Sequence, residues 1–209
     1  MSANRLFRPD RLLGFSDGVL AIVITLLVLG LEVPSVHEVP EKELLTYLQD
    51  SLPSVLSYVV SFLVIGMYWV QHYAIFHYIE RVNRPFVLLN GLFLLTVSFI
   101  PFPTGLQSVY RYDELAVVLF GSAHALCGLS LLALWMYATR NHRLISPSTS
   151  PEVVASMSRR IAATPVICAA AIVLSFVSVL LSKLIFLSIP MFYFSHRLID
   201  EGRGDETQS

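Results

Sequence analysis

Between Leu12 and Val33 the chain runs for twenty-two residues in which only Asp17 and Glu32 can carry a charge. A helix that crosses a bilayer needs about 20 mostly apolar residues. A run of that length cannot be folded away in a small water-soluble domain without leaving much of it exposed. The same pattern recurs along the chain, at about 52–79, 84–108 and 114–138, and again from about Ile161 to Phe194. The last stretch would be about 50 Å long as one helix, against a hydrocarbon core of about 30 Å. It is therefore divided near Ser178–Lys183 into two spans, about 155–178 and 180–197. Composition agrees. The 209 residues are 55% hydrophobic and only 14% charged, whereas soluble domains are about a quarter charged.

The expected architecture is an all-α integral membrane protein with six transmembrane helices per subunit. It forms a single domain over residues 1–209, with spans at about 11–33, 52–79, 84–108, 114–138, 155–178 and 180–197 and a polar tail at 198–209. The first run is longer than the roughly 7–15 apolar residues of a signal peptide and no A-x-A site follows it, so it is expected to be a retained span. The basic residues test the count. With both termini cytoplasmic, Arg5, Arg8, Arg11, Arg81, Arg84, Arg140, Arg143, Arg159, Arg160, Arg197 and Arg203 lie inside and only Lys42, Arg111 and Lys183 outside. That asymmetry follows the positive-inside rule. The outer loop 34–51 carries Glu38, Glu41, Glu43 and Asp50, and the inner loop after 139 is rich in Ser and Pro. A net charge of −1 gives no reason to expect a nucleic-acid partner.

Chemistry-bearing motifs are few. Gly14-Phe15-Ser16-Asp17-Gly18 matches G-x-S-x-G, but a hydrolase elbow needs a strand before the serine and a helix after it. Here the serine sits inside one continuous helical run, for which Asp10 after Pro9 is the expected N-cap. An intramembrane serine hydrolase would need His72, His77 or His124 as its base. No H-E-x-x-H or C-x-x-C string occurs, and Cys127 and Cys168 both lie in apolar runs, so no metal or cofactor is expected and the cysteines read as buried thiols.

On a helical wheel Arg11, Phe15, Val19, Ile22, Leu26, Leu29 and Val33 fall within about 80° of one another, with Thr25 on their flank and Asp17 about 140° from Ile22. An acid inside the membrane must be paired, which turns Asp17 toward its own helix bundle. The apolar row then faces lipid or the equivalent row of another subunit. Trp69 and His72, one turn apart on the second span and at about the depth of Asp17, are suitable hydrogen-bond partners, and Gln71 adjoins them. Ser16 can alternatively bond back to the carbonyl of Leu12.

Arg11-x-x-x-Phe15-Ser16-Asp17 at the head of the first span resembles the R-x-x-x-F-S-D signature of the transmembrane protein 175 type potassium channels. The run AIVITLLVL and the stretch YWVQH are also similar, although the family's Asn-His-His after the tryptophan is Gln71, His72 and Tyr73 here. With one motif and six spans, the chain resembles bacterial members over about residues 5–197. The resemblance implies a homotetramer whose first helices line a central pore in the bacterial cell membrane. It implies a constriction at Ile22, further apolar rings at Leu26 and Leu29, and Thr25, Val19 and Phe15 flanking them. Arg11, Phe15, Ser16, Asp17, Trp69 and His72 form the motif and its polar network, and potassium is the permeant ion. Such a pore closes by steric contact and dewetting. Without carbonyls to replace hydration water it should favour K+ over Na+ only modestly. A proton- or cation-coupled secondary transporter is the alternative, followed by the hydrolase.

Overall fold

The computed structural model describes residues 8–31, 33–34 and 43–190. Among these the fold is helical, apart from one isolated antiparallel bridge between Ile79 and Ile145. Helix α1 runs Pro9–Leu26 and tightens into a 3-10 turn at Leu27–Gly30. Its N-cap is Arg8 with Pro9 in the first turn, so Asp10 is not the cap; it stands inside the first turn, beside the exposed N–H groups that favour an acid.

Helix α2, Leu44–Tyr78, has 35 residues and is about 52 Å long. It starts well before the expected position 52, because Leu44–Ser51 is helix-compatible but too polar to register as span; Pro53 lies within it. The expected third span is two helices, α3 (Arg84–Phe99) and α4 (Pro101–Val109), which together form one membrane-length rod. Pro101 and Pro103 have no backbone N–H to continue the ladder, and bonding resumes with Thr104 N donating to Ile100 O at 3.2 Å.

Helix α5, Glu114–Thr139, is capped by Asp113, whose carboxylate accepts from Leu115 N at 2.8 Å and Ala116 N at 3.2 Å. Helix α6, Pro151–Ser175, is capped by Ser150, and α7, Val179–Pro190, follows a break at 176–178. Ser182 Oγ on α7 donates to Ala171 O of α6 at 2.7 Å, tying the two together. Among the described residues five rods are long and apolar enough to cross a membrane, and α7 is a shorter apolar helix. The expected continuation of the sixth span to 197, the tail 198–209, and Arg5, Glu38, Glu41, Lys42, Arg197 and Arg203 lie outside the described residues.

Helix α5 is apolar on every side and sits at the centre of the packing, with Phe120, Leu131, Leu134 and Trp135 buried. It meets α6 at backbone distance. A methyl group on Gly128 would lie 2.7 Å from Pro165 Cδ, and one on Gly121 would lie 2.7 Å from Ile172 Cγ1. In a membrane, where lipid is as apolar as leucine, such close packing replaces the hydrophobic driving force. At one end of the bundle Glu80 N donates to Leu144 O at 2.9 Å beside the Ile79–Ile145 bridge. This gathers Arg81, Arg84, Arg140 and Arg143 at that end.

Candidate functional site

Helix α1 packs on α2 and α3 through one narrow face: Ser16, Leu20, Val23 and Leu27 are buried. That spacing of four, three and four residues is a single helical stripe. The opposite side is open. Phe15 is 63% exposed, Ile22 60%, Leu26 44% and Leu29 74%. Val33, beyond the 3-10 turn, is exposed, as are Arg11 and Thr25, while Val19 is partly covered. Thr25 Oγ1 donates to Ile22 O at 2.8 Å, so its hydroxyl hydrogen is spent on its own backbone.

The polar support has two branches. In the first, Trp69 Nε1 on α2 donates to Asp17 Oδ1 at 2.9 Å. In the second, Ser16 Oγ donates to Leu12 O at 2.9 Å and accepts from Asn90 Nδ2 at 2.9 Å, and Asn90 Oδ1 meets His72 Nε2 at 2.8 Å. With the amide so oriented, Nε2 carries the proton and is the donor. The His72 ring is fixed by Phe76 and Phe93, with centroids 4.6 and 5.2 Å away. His72 therefore bonds Asn90 instead of Asp17, and Ser16 is the motif residue that faces the bundle. Asp17 sits on the flank of the buried face, partly covered, and its indole partner Trp69 is 44% exposed.

Asn90 is the residue that sequence reasoning missed. A lone amide inside VLLNGLFLL was the available signal, since polar groups at membrane depth are costly without a role. The network does not include Gln71, His77 or His124. Gln71 is buried with neither side-chain polar atom bonded, and both ring nitrogens of His124 also lack partners. Instead, His124 supplies its backbone oxygen to Tyr68 OH at 2.7 Å and packs edge-on to Phe120. His77 is exposed.

This arrangement does not activate a nucleophile. Ser16 is fully buried and its hydroxyl donates to a carbonyl, not to a base. Cys127 and Cys168 are buried free thiols. Among the described residues no group of three or more His, Cys, Asp or Glu is close enough to hold a metal. What α1 offers is an exposed apolar row held at a fixed angle by polar anchors on its other sides.

Residues 11–101 match the family described as endosomal/lysosomal potassium channel TMEM175. A potassium channel of Streptomyces collinus is 39% identical over 141 residues, covering 66% of this chain and 68% of that protein. A potassium channel of Chamaesiphon minutus is 34% identical over 175 residues, covering 82% of this chain and 86% of that one. The crystal structure of a lysosomal potassium-selective channel TMEM175 homolog from Chamaesiphon minutus superposes with a TM-score of 0.80 at 32% identity, covering 90% of this chain and 97% of that one.

Proposed function

The chain belongs to the TMEM175 family of potassium channels, and we propose that it conducts potassium between copies of α1 that face one another around a central axis. It is a channel of a multi-helix membrane protein, not an enzyme. The observation that carries the pore assignment is the exposure of Phe15, Ile22, Leu26 and Leu29 on the side of α1 away from its anchors.

In this reading four subunits each contribute that row. Ile22, in the last third of α1, forms the narrowest ring. Leu26 and Leu29 form further rings, with Thr25, Val19 and Phe15 flanking them. The row from Phe15 to Leu29 is about 21 Å long, enough to make most of the hydrocarbon core an apolar passage. A ring of branched side chains excludes water when narrow, so the closed state needs no moving plug. A small tilt of α1 widens it. A cation then passes partly hydrated, and K+, which holds its water less tightly, passes more easily than Na+ by a modest factor. Both termini are cytoplasmic, and the bacterial cell membrane is the site of action.

Potassium efflux from reconstituted vesicles tests this. Ile22→Asn places a wettable amide at the constriction and is expected to raise K+ flux by about tenfold, equivalent to about 1.4 kcal/mol of barrier, while narrowing the K+/Na+ difference. Single-channel steps with a linear current–voltage response are expected. Unaltered flux in Ile22→Asn, or saturable uptake coupled to a proton gradient, overturns the assignment. A mass measurement of the detergent-solubilised protein checks for four copies.

A further inference from the structure

At the end of the bundle opposite the Asp17 network, a cavity of about 230 Å³ opens between α2 at Pro53–Val60, the end of α4, the start of α5 and α7. Leu56, Phe120, Leu184 and Leu187 make most of its wall. Leu56 and Leu184 are 52% and 55% exposed, so the wall is open to the surroundings of the bundle. Two cations stand at the same cavity, Arg111 and Lys183.

Lys183 Nζ donates to the Arg111 backbone oxygen at 2.6 Å and lies 5.9 Å from the centre of the Tyr112 ring. Arg111 Nε donates to Ser108 O at 3.3 Å, which leaves the two terminal nitrogens of the guanidinium to find partners elsewhere. Neither cation is paired with a carboxylate among the described residues. The neighbouring acid, Asp113, is committed to the α5 N-terminus. Gln107, 3% exposed, also lines the cavity. Two like charges beside an apolar wall are costly unless something neutralises them.

We propose that this cavity is a binding site for an anionic glycerophospholipid, with its phosphodiester on Arg111 and Lys183 and part of an acyl chain against Leu56, Leu184 and Leu187. A guanidinium takes phosphate in a two-pronged, charge-assisted contact, and an ammonium adds a compact point charge. A free inorganic anion satisfies the cations but leaves the apolar wall uncovered. A zwitterionic lipid brings its own ammonium to a site that already has two positive groups.

The test uses the purified full-length protein, stripped of lipid in detergent and then incubated separately with phosphatidylglycerol, phosphatidylcholine or inorganic phosphate. Bound lipid is read by native mass spectrometry and stability by thermal unfolding. Phosphatidylglycerol is expected to be retained about tenfold over phosphatidylcholine, which presents the same phosphodiester but brings a choline cation up to the two protein cations. It should raise the unfolding temperature, and phosphate alone should not. Arg111→Gln with Lys183→Gln should bring the two lipids to parity. Leu184→Trp, which fills the apolar part and leaves both cations, should lower phosphatidylglycerol retention. If the double variant does not fold, Lys183→Gln alone with Leu184→Trp carries the comparison. Equal retention of both lipids by the unmodified protein overturns the proposal. So does a preference that survives loss of the charges, or phosphate stabilising as well as lipid.

Discussion

Replacing Asn90 by leucine removes the amide that joins His72 to Ser16, at a site only 1% exposed. The two side chains are close in size, so the change is chiefly one of hydrogen bonding. His72 Nε2 loses its partner, and its Nδ1 already has none. Ser16 loses a donor to its oxygen but still donates to Leu12 O. A buried group left without its partner costs about 1–3 kcal/mol, and hydrogen bonds inside membrane proteins average about 0.6 kcal/mol. We expect Asn90→Leu to destabilise the fold by about 2 kcal/mol, the orphaned imidazole being the larger part.

His72→Phe breaks the same bond from the other side. The ring stays between Phe76 and Phe93, but the Asn90 carbonyl oxygen is now orphaned, so a similar loss of about 2 kcal/mol is expected. In the double variant both polar partners are gone, and only the Ser16 oxygen has lost a bond. The combined loss should then fall short of the sum of the single losses by about 1–3 kcal/mol. Reversible denaturation in mixed micelles, followed by tryptophan fluorescence, measures this cycle. Single variants within about 0.5 kcal/mol of the parent, or losses that add, would refute the claim that Asn90 is the hub of the second branch.

The first branch is tested by charge and shape separately. Asp17→Asn keeps an oxygen for the Trp69 indole and should stay within about 0.5 kcal/mol of the parent, while Asp17→Ala and Trp69→Phe should each cost about 1 kcal/mol and should not add to one another; all three are read in the same micelle titration. At the α5–α6 crossing, Gly128→Ala drives a methyl group to 2.7 Å from Pro165 Cδ and should cost about 1–3 kcal/mol. Gly66→Ala, where no atom lies within 4 Å of the new carbon, should be neutral or slightly stabilising in the same assay.

The sequence made the membrane rods legible because hydropathy is local: each run announces itself without reference to any other. Their ends were less legible. Leu44–Ser51 extends α2 with ordinary helix formers that are too polar to count as span, and Pro101 breaks the third rod earlier than its apolar run ends. The angular reading of α1 was half visible. The wheel grouped Phe15, Ile22, Leu26 and Leu29, which are all exposed in the subunit. It also set Asp17 as the inward residue, whereas the buried stripe Ser16–Leu20–Val23–Leu27 lies about 130° from Ile22 and leaves Asp17 on its edge. Asn90 escaped because its bond to Ser16 spans 74 positions, and no local pattern reports which polar residue of one span meets which residue of another.

The position of that stripe and of Asp17 bears on how α1 can move. Consecutive residues on a helix point about 100° apart, so Ser16 and Asp17 reach in different directions from the same height. One is held by Asn90 on α3 and the other by Trp69 on α2. A helix held by a single bond can swivel about it. A helix held by two bonds to two different neighbours cannot turn without stretching one of them, although it can tilt about that level. From Ile22 through the 3-10 turn at Leu27–Gly30, α1 has no such hydrogen-bonded clamp and is held by the packing of buried Val23 and Leu27. There Gly30 approaches Gly105 of α4 closely enough that an added Cβ would be 3.6 Å from its Cα. Contact between two glycines offers little resistance to sliding. The anchors therefore fix which residues α1 presents on its exposed side, while the last turn of α1 and the 3-10 turn, held by apolar packing without a hydrogen-bonded clamp, can lean. Tilting, rather than rotation, is the motion this geometry leaves available for widening an apolar ring.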